Sequence, residues 1–274
     1  MDTAASPIDL GRLQAQQDRL QLAFESGDPI RHVVIEDFLA PAAAARAAQA
    51  FPKPEEMAIS FAGLAEVKNA EQALHKLDPI FGEIFDGLRA PECIEWLSQV
   101  TRIPDLVADP ELHGGGLHQG PDGSYLDVHA DFNIHPHLNL YRRLNLLIYL
   151  NVRWEPQWQG YLELWSRDMK ECRQYIEPKF NRCVIMETHD YAFHGYKELR
   201  LPAGVTRKSL ASYYYSPSPG DKQSSSEHNT LFQLRPEQQR STNVQLFFRR
   251  LIALSPAALR PAGRALRDVL RVPK

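Results

Sequence analysis

The stretch DVHADFNIH, residues 127–135, places a histidine and an aspartate two positions apart at the end of a predicted strand. Because alternate side chains of a strand share a face, His129 and Asp131 project to the same side. An imidazole and a carboxylate arranged in this way can bind one metal ion. The chain has ten histidines, so such a pair also arises by chance, and the alternative is a polar end of a strand.

A third candidate ligand lies in THDYAFHGY, which offers His194 on a predicted strand and His189 at the end of the strand before it. We favour His194, because His189 falls where a turn is expected. Two imidazoles and one carboxylate on one side of a metal leave three positions open, which is the arrangement of non-haem Fe(II) oxygenases. The open positions accept a chelating co-substrate and O₂.

A co-substrate that is an oxo-diacid also needs a partner for its far carboxylate. Arg207 suits this role because its planar guanidinium pairs with a carboxylate through two hydrogen bonds. Arg207 and Ser209 share a face of the predicted strand RKSLASYYY, and Tyr149 in LLIYLN is a further donor candidate. The alternatives are a surface salt bridge for Arg207 and ordinary core packing for Tyr149.

Substrate recognition is predicted less specifically, from the positions of polar residues before and after the His129–Asp131 strand. Two of them lie one strand earlier and four lie in the connection FNIHPHLNLYRR. The candidates are His118, Gln119, Asn133, His135, Arg142 and Arg143. For each of them the alternative is a core or solvated residue without a functional role.

These candidate residues lie in a region of the chain whose pattern predicts strands. About eight short β-like runs separated by turn signals lie between residues 111 and 216, a pattern typical of a sandwich or a jelly roll. Before them, apolar periodicity predicts helices over 9–25, 69–88 and 91–101, together with a strand over 30–39 and a helix that begins at Pro41. We therefore expect a mixed, β-dominated fold with N-terminal helices packed on one sheet.

The expected organisation is one catalytic domain over residues 1–216, with a helical region over 1–103 and a jelly-roll core from about 104 to 216. A polar loop and a C-terminal extension of basic amphipathic helices follow over 217–274. We expect these helices to contact the domain itself or a partner chain, which would give a homo-oligomer formed through the terminal helices. The alternative is a role at a membrane surface.

Composition excludes several classes of function. The net charge of −3 argues against a protein that mainly binds nucleic acid. We expect no membrane span, because no run of 18 apolar residues occurs. The N-terminus lacks the pattern of a secretory signal, and three cysteines at unrelated spacings favour a reducing compartment. A cytoplasmic location is the resulting expectation.

The motifs HADF, LNLLIYLNVRW, GYLELW, FHGY and RKSLASYYYS, taken in order over about 111–216, resemble the 2-oxoglutarate/Fe(II) oxygenase superfamily. The similarity is to its prolyl-hydroxylase-like branch, and GGGLHQGPDGSYLDVHADFN resembles a bacterial subgroup of that branch. The resemblance implies a double-stranded β-helix, with His129, Asp131 and His194 as iron ligands and with Arg207 and Tyr149 as 2-oxoglutarate contacts.

The implied activity is hydroxylation of a C–H bond, coupled to conversion of 2-oxoglutarate and O₂ into succinate and CO₂, with ascorbate as a possible stimulant. An amino-acid-like, peptidyl (for example prolyl) or small biosynthetic substrate fits equally well. Two alternatives stay open at this point. One is desaturation or cyclisation with the same cofactors, and the other is a jelly-roll module that binds a metal or a sugar without catalysis.

Overall fold

A computed structural model describes residues 6–222 and 226–239 of the protein. Several helices begin where the sequence gives a start signal. Proline occupies the first position of the helices that start at residues 41, 79 and 91, and the Asp78 carboxylate accepts a hydrogen bond from the Ile80 amide. The described helices are α1 (Leu10–Gln14), α2 (Gln17–Glu25), α3 (Pro41–Gln49), α4 (Pro79–Arg89), α5 (Pro91–Thr101) and the short α6 (Pro236–Gln239).

The strands of the described residues form one curled, antiparallel sheet. They are β1 (His32–Ile35), β2 (Ile59–Ala62), β3 (Glu66–Glu71), β4 (Val107–Ala108), β5 (Gly116–Gly120), β6 (Tyr125–Ala130), β7 (Tyr141–Tyr149), β8 (Leu162–Trp165), β9 (Cys172–Ile176), β10 (Arg182–Glu187), β11 (His194–Tyr196), β12 (Arg207–Ser216) and β13 (Leu231–Phe232). Their order is β1-β10-β7-β12-β5-β3-β6-β11-β8-β9, while β2 and β13 extend it at β3 and β6 and β4 pairs with β12. Curling brings the β6–β11–β8 portion over the β7–β12–β5 portion. This β-dominated jelly roll confirms the predicted fold class.

The side chains of strand β7 point alternately to the two faces of the β7–β12–β5 portion of the sheet. Leu144, Leu146 and Ile148 belong to a core shared with the N-terminal helices, whereas Asn145 and Tyr149 line a cavity on the opposite face. This alternation is the period-2 pattern of a strand that is buried on both sides. The helices therefore cover the outer face, and the inner face is left for a site.

Two predicted elements differ from the structure. The helix predicted over 69–88 begins only at Pro79, because residues 66–71 form β3 and pair with strands β2, β5 and β6. Backbone pairing with distant strands outweighs local helix propensity there. The N-terminal region over 1–103, expected to be helical apart from the strand over 30–39, thus supplies β2 and β3 to the sheet in addition to β1.

The chain beyond residue 216 also contributes to the fold. Leu231 and Phe232 of β13 pair with Ala130 and His129 of β6, and the Arg235 guanidinium donates to the buried Glu163 carboxylate at 2.8 Å. The structure therefore places a portion of the predicted extension against the core. The predicted basic amphipathic helices of the C-terminal end fall within residues 240–274 and lie outside the described residues.

No helix among residues 6–222 and 226–239 combines the length and the apolar character needed to cross a membrane.

The helical layer is expected to stabilise the sheet through large buried side chains. Phe85 of α4 is fully buried in the core shared with the sheet, so Phe85→Ala should lower the free energy of unfolding by about 3–5 kcal/mol. Leu22→Ala is the control, because Leu22 is 65% exposed on α2, and its effect should stay within about 0.5 kcal/mol. Urea denaturation measures both, and equal effects would contradict this packing.

Candidate functional site

The centre of the candidate site is the pairing of β6 with β11. His194 lies opposite His129 in this antiparallel pair, and the centres of the two rings are 4.4 Å apart. The two histidines and Asp131 each offer a ligand atom, and these atoms lie within 4.8 Å of one another. Among the residues that the structure describes, no other group of His, Cys, Asp and Glu meets this criterion.

Both histidines present the same ring nitrogen to the centre of this cluster. The Nδ1 atoms of His129 and His194 lie 2.9 Å from the backbone oxygens of Asp127 and Ala192. A carbonyl oxygen only accepts hydrogen bonds, so each Nδ1 carries a proton and each Nε2 is the ring nitrogen that faces the cluster. The Nε2 atoms lie 3.5 and 3.6 Å from the oxygens of Asp131. Such a backbone contact is how proteins orient histidines that bind metals.

Asp131 is held in place by two neighbours. The Asn145 amide donates to Asp131 Oδ2 at 2.8 Å, and the Arg142 guanidinium lies 3.3 Å from the same oxygen. Arg142 is itself fixed between two rings, with its guanidinium carbon 4.7 Å from the centre of Phe132 and 3.5 Å from the centre of Tyr213. The carboxylate therefore has a defined orientation.

The electrostatics of the cluster suit a metal cation. Burial raises the pKa of Asp131, but the charge of Arg142, followed by His194, more than offsets this and holds the pKa well below its ordinary value. Burial, together with His129, lowers the pKa of His194 to about 4. At neutral pH the cluster thus offers an ionised carboxylate and a neutral imidazole. These donors fit Fe(II), for which two histidines and one carboxylate are a typical ligand set.

The cluster opens into a cavity of about 970 Å³ between the two portions of the sheet. Arg207 of β12 is buried in its wall, where Nε donates to the Gly160 oxygen at 2.8 Å and one amino group lies 3.3 Å from the Tyr149 hydroxyl. The rings of Tyr149 and Tyr196 lie 4.9 and 4.3 Å from the guanidinium carbon. The Arg207 guanidinium, held by these contacts, therefore faces the same cavity as the cluster.

Gly160 permits this position of Arg207. Its φ of +73° is in the left-handed region, and a Cβ atom there would collide with Leu199 and approach Arg207 Cδ to 3.4 Å. Ser209 lies opposite Tyr149 in the β12–β7 pair and also lines the cavity. The predicted residues Arg207, Tyr149 and Ser209 are thus brought together.

The substrate candidates are divided by the structure. His118, Gln119 and Arg142 line the cavity, and burial, with Lys68 next, lowers the pKa of His118 to about 3. Gln119 donates to the Thr206 hydroxyl.

The other three substrate candidates are buried away from the cavity lining. Asn133 donates to the Ser226 oxygen at 2.8 Å and accepts from the His228 amide at 2.9 Å, so it ties the segment after residue 225 to the core. His135 is fully buried, with Nε2 3.3 Å from Asp109. Arg143 donates to the Ser216 hydroxyl and the Ser218 oxygen. These contacts give the three residues structural roles.

His189, the alternative third ligand, is buried beyond β10 and is not a member of the ligand cluster. Sequence reasoning missed Asn145, Tyr196, Lys68 and Glu66, which line the cavity, and the segment 227–232, which borders it. Strand alternation from Tyr149 and from His194 was a usable signal for Asn145 and Tyr196. No local signal marked the segment, because its place depends on contacts with distant residues.

Comparisons with known proteins agree with this geometry. Residues 115–215 match the model of the 2OG-Fe(II) oxygenase superfamily. A prolyl 4-hydroxylase structure from Phytophthora capsici is similar at a TM-score of 0.52 and 18% identity, over 97% of this chain and 82% of that chain. A prolyl hydroxylase from Trichoplax adhaerens, solved with a peptide fragment of the hypoxia inducible factor oxygen degradation domain, has a TM-score of 0.51 and 15% identity, over 76% of this chain and 92% of that chain.

No curated protein matches the chain. At these identities the structural similarities show the fold alone, and the match that points to the family covers residues 115–215. The matched residues include the whole ligand cluster and Arg207. Over residues 115–215 the chain is similar to the 2OG-Fe(II) oxygenase superfamily, whose oxygenases depend on Fe(II) and 2-oxoglutarate.

Proposed function

We propose that this oxygenase hydroxylates an unactivated C–H bond of a small or peptidyl substrate, with Fe(II) bound by His129, Asp131 and His194. The observation that carries the proposal is the convergence of the three ligand atoms within 4.8 Å, at a wall of the cavity that also contains Arg207. When bound, the cofactors supply the chemistry in which O₂ and 2-oxoglutarate yield succinate, CO₂ and the hydroxylated product.

The protein itself supplies binding, orientation and exclusion of water. Arg207 pairs with the far carboxylate of 2-oxoglutarate, assisted by the hydroxyl groups of Tyr149 and Ser209. A buried carboxylate needs such a partner, because an uncompensated charge in a medium of low dielectric constant costs several kcal/mol. Phe132, Phe232 and other apolar residues line part of the cavity and reduce the contact of water with that part.

The direct test is mass spectrometry of a cell extract incubated with the purified enzyme, Fe(II) and 2-oxoglutarate. Hydroxylation predicts a product heavier than its precursor by one oxygen atom, formed only when 2-oxoglutarate is present. A product lighter by two hydrogens would identify desaturation or cyclisation at the same site. Loss of 2-oxoglutarate dependence would contradict the proposed function.

Replacing His129 or Asp131, the two candidate ligands at the end of β6, should strongly weaken metal binding while the fold is retained. His129→Ala and Asp131→Ala should each weaken anaerobic Fe(II) binding by more than the roughly 100-fold cost of losing a residue that orients a ligand. Calorimetric titration measures the affinity, and circular dichroism monitors the fold. His189→Ala is the matched control, since His189 is equally buried but outside the cluster. A metal affinity that survives in His129→Ala but not in His189→Ala would overturn the assignment.

Asn145 should affect the affinity for Fe(II) because it orients Asp131. Asn145→Ala removes the hydrogen bond to Asp131 Oδ2 and should weaken Fe(II) binding by about 10- to 100-fold. Asn145→Asp should change the Fe(II) affinity more than Asn145→Ala does. The reason is that a second carboxylate next to Asp131 raises the pKa of the pair by like-charge repulsion. The same titration ranks the variants, and equal affinity in Asn145→Ala and wild type would show that Asp131 needs no such support.

Arg207 should determine the affinity for 2-oxoglutarate. A charged hydrogen bond contributes about 1.5–3 kcal/mol, so Arg207→Ala should raise the apparent KM for 2-oxoglutarate by roughly ten- to several-hundred-fold. Arg207→Lys should recover only part of the loss, because an ammonium lacks the fork. Fe(II) affinity should barely change.

Lys208→Ala is the control for this strand. Lys208 projects away from the cavity, with Nζ 5.7 Å from the ring centre of Phe51, so its KM for 2-oxoglutarate should stay at the wild-type value. If instead Lys208→Ala lost co-substrate affinity and Arg207→Ala did not, the proposed role of Arg207 would be wrong.

A further inference from the structure

A pair of opposite charges lies in the cavity wall without a role in the proposed cofactor binding. Glu66 and Lys68 are two residues apart on β3, and both line the cavity. The Lys68 ammonium is 3.2 Å from a Glu66 oxygen, and the Lys68 and Glu66 side chains are only 14% and 25% exposed. Partial burial of an ion pair costs free energy. Its position in the wall of a ligand cavity therefore points to a role in binding.

Lys68 can donate hydrogen bonds to a ligand, whereas Arg142 and Arg207 of the same cavity have other partners. Arg142 is paired with Asp131, and Arg207 is reserved for 2-oxoglutarate in the proposed function. Within residues 6–222 and 226–239, Lys68 has one ion-pair partner, Glu66, and its Nζ lies 5.0 Å from the ring centre of Phe61. An ammonium has three N–H donors, so donors are left for an anionic group.

The charge on Lys68 persists in this position. Burial lowers its pKa, but the Glu66 carboxylate and then Tyr213 offset this, and the pKa lies above its ordinary value. Lys68 thus presents a permanent positive charge to the cavity, with a carboxylate immediately beside it. A ligand that complements this pair carries a negative and a positive group close together.

The backbone next to the metal cluster leaves no open edge for a peptide that binds as an added strand. An extended peptide is often bound by pairing with an open sheet edge. One edge of β6 pairs with β11, while its other edge pairs with β3 at Tyr125 and Leu126 and with β13 at His129 and Ala130. The chain's own segment therefore occupies the edge of β6 at which a peptide would add as a strand beside the cluster.

We infer that the substrate is a free amino-acid-type zwitterion, whose carboxylate binds Lys68 and whose ammonium binds Glu66. A free α-amino acid carries its two charged groups on one carbon atom, which matches a pair of opposite charges on one face of a strand. Its side chain is left to reach toward the ligand cluster among the apolar residues Leu126, Phe132 and Ile134 of the cavity wall. The inference rests on the proposed function and names the substrate class of the same cavity.

The test is a binding experiment without oxygen, so that no turnover occurs. The full-length protein is loaded with Mn(II) and 2-oxoglutarate and titrated with each of the standard L-amino acids and with their N-acetyl and carboxamide forms. At least one free amino acid should bind, and blocking either charged group should weaken its binding at least tenfold. Lys68→Met should weaken the same free amino acid at least tenfold but leave the Kd for 2-oxoglutarate within about twofold of wild type.

The Glu66→Gln variant gives an independent measurement. It should lose most of the discrimination between the free amino acid and its N-acetyl form, because the ammonium partner is gone. Lys170→Met is the control for removing a lysine, since the Lys170–Asp168 pair lies on the surface with Lys170 81% exposed. It should bind the amino acid as wild type does.

Three outcomes would overturn the inference while the proposed function stands, because Mn(II) and 2-oxoglutarate would still bind. These are binding of no free amino acid, equal binding of free and blocked forms, and equal loss of 2-oxoglutarate and amino acid affinity in Lys68→Met. The last outcome would place Lys68 in the co-substrate site. Failure of wild-type protein to bind Mn(II) and 2-oxoglutarate would instead contradict the proposed function.

Discussion

The antiparallel pairing of β6 with β11 is the constraint on which the site depends. It sets His194 opposite His129, and a slip of one residue would turn one imidazole to the other face of the sheet. Gly195 makes the close approach possible, because a Cβ atom at this position would lie 2.7 Å from the Leu126 oxygen and 3.0 Å from the Asp127 oxygen. Two residues far apart in the chain thus become neighbours through backbone geometry.

The two faces of the β7–β12–β5 portion of the sheet lie in different environments. In β7 and β12, apolar residues such as Leu146 and Leu210 face the helical layer, whereas Tyr149 and Arg207 face the cavity. The helices bury one face, so the strands that carry the polar residues of the other face are held by a close-packed core. Fixed orientation matters here, because Arg207 must present its fork at a defined distance from the metal cluster.

Much of this arrangement was predictable from strand periodicity. His129 and Asp131 share a face within one strand, and Arg207 and Ser209 share a face within another, so local pattern alone indicated both groups. The glycine and proline turn signals between short apolar runs predicted the jelly roll. His194 was favoured over His189 for a local reason too, since His189 falls where a turn is expected. The roles proposed for these residues stay predictions until they are measured.

Contacts between distant segments were not predictable in the same way. Residues 69–71 carry a helical pattern, yet pairing with β5 makes them the end of strand β3. The cavity-lining residues Glu66 and Lys68 of that strand were missed because no strand was predicted there. Asn133 and His135 are candidates for substrate recognition in the sequence, but they contact Ser226 and Asp109 inside the fold. A polar side chain in a loop is ambiguous for this reason, since binding a ligand and satisfying a buried polar group use the same chemistry.

The most direct test of this account is anomalous diffraction at the iron edge from crystals grown without oxygen, with Fe(II) and 2-oxoglutarate. We expect one strong peak within bonding distance of the Nε2 atoms of His129 and His194 and of an Asp131 oxygen, with 2-oxoglutarate extending from it to Arg207. An iron peak away from these three residues, or 2-oxoglutarate bound with its far carboxylate distant from Arg207, would contradict it.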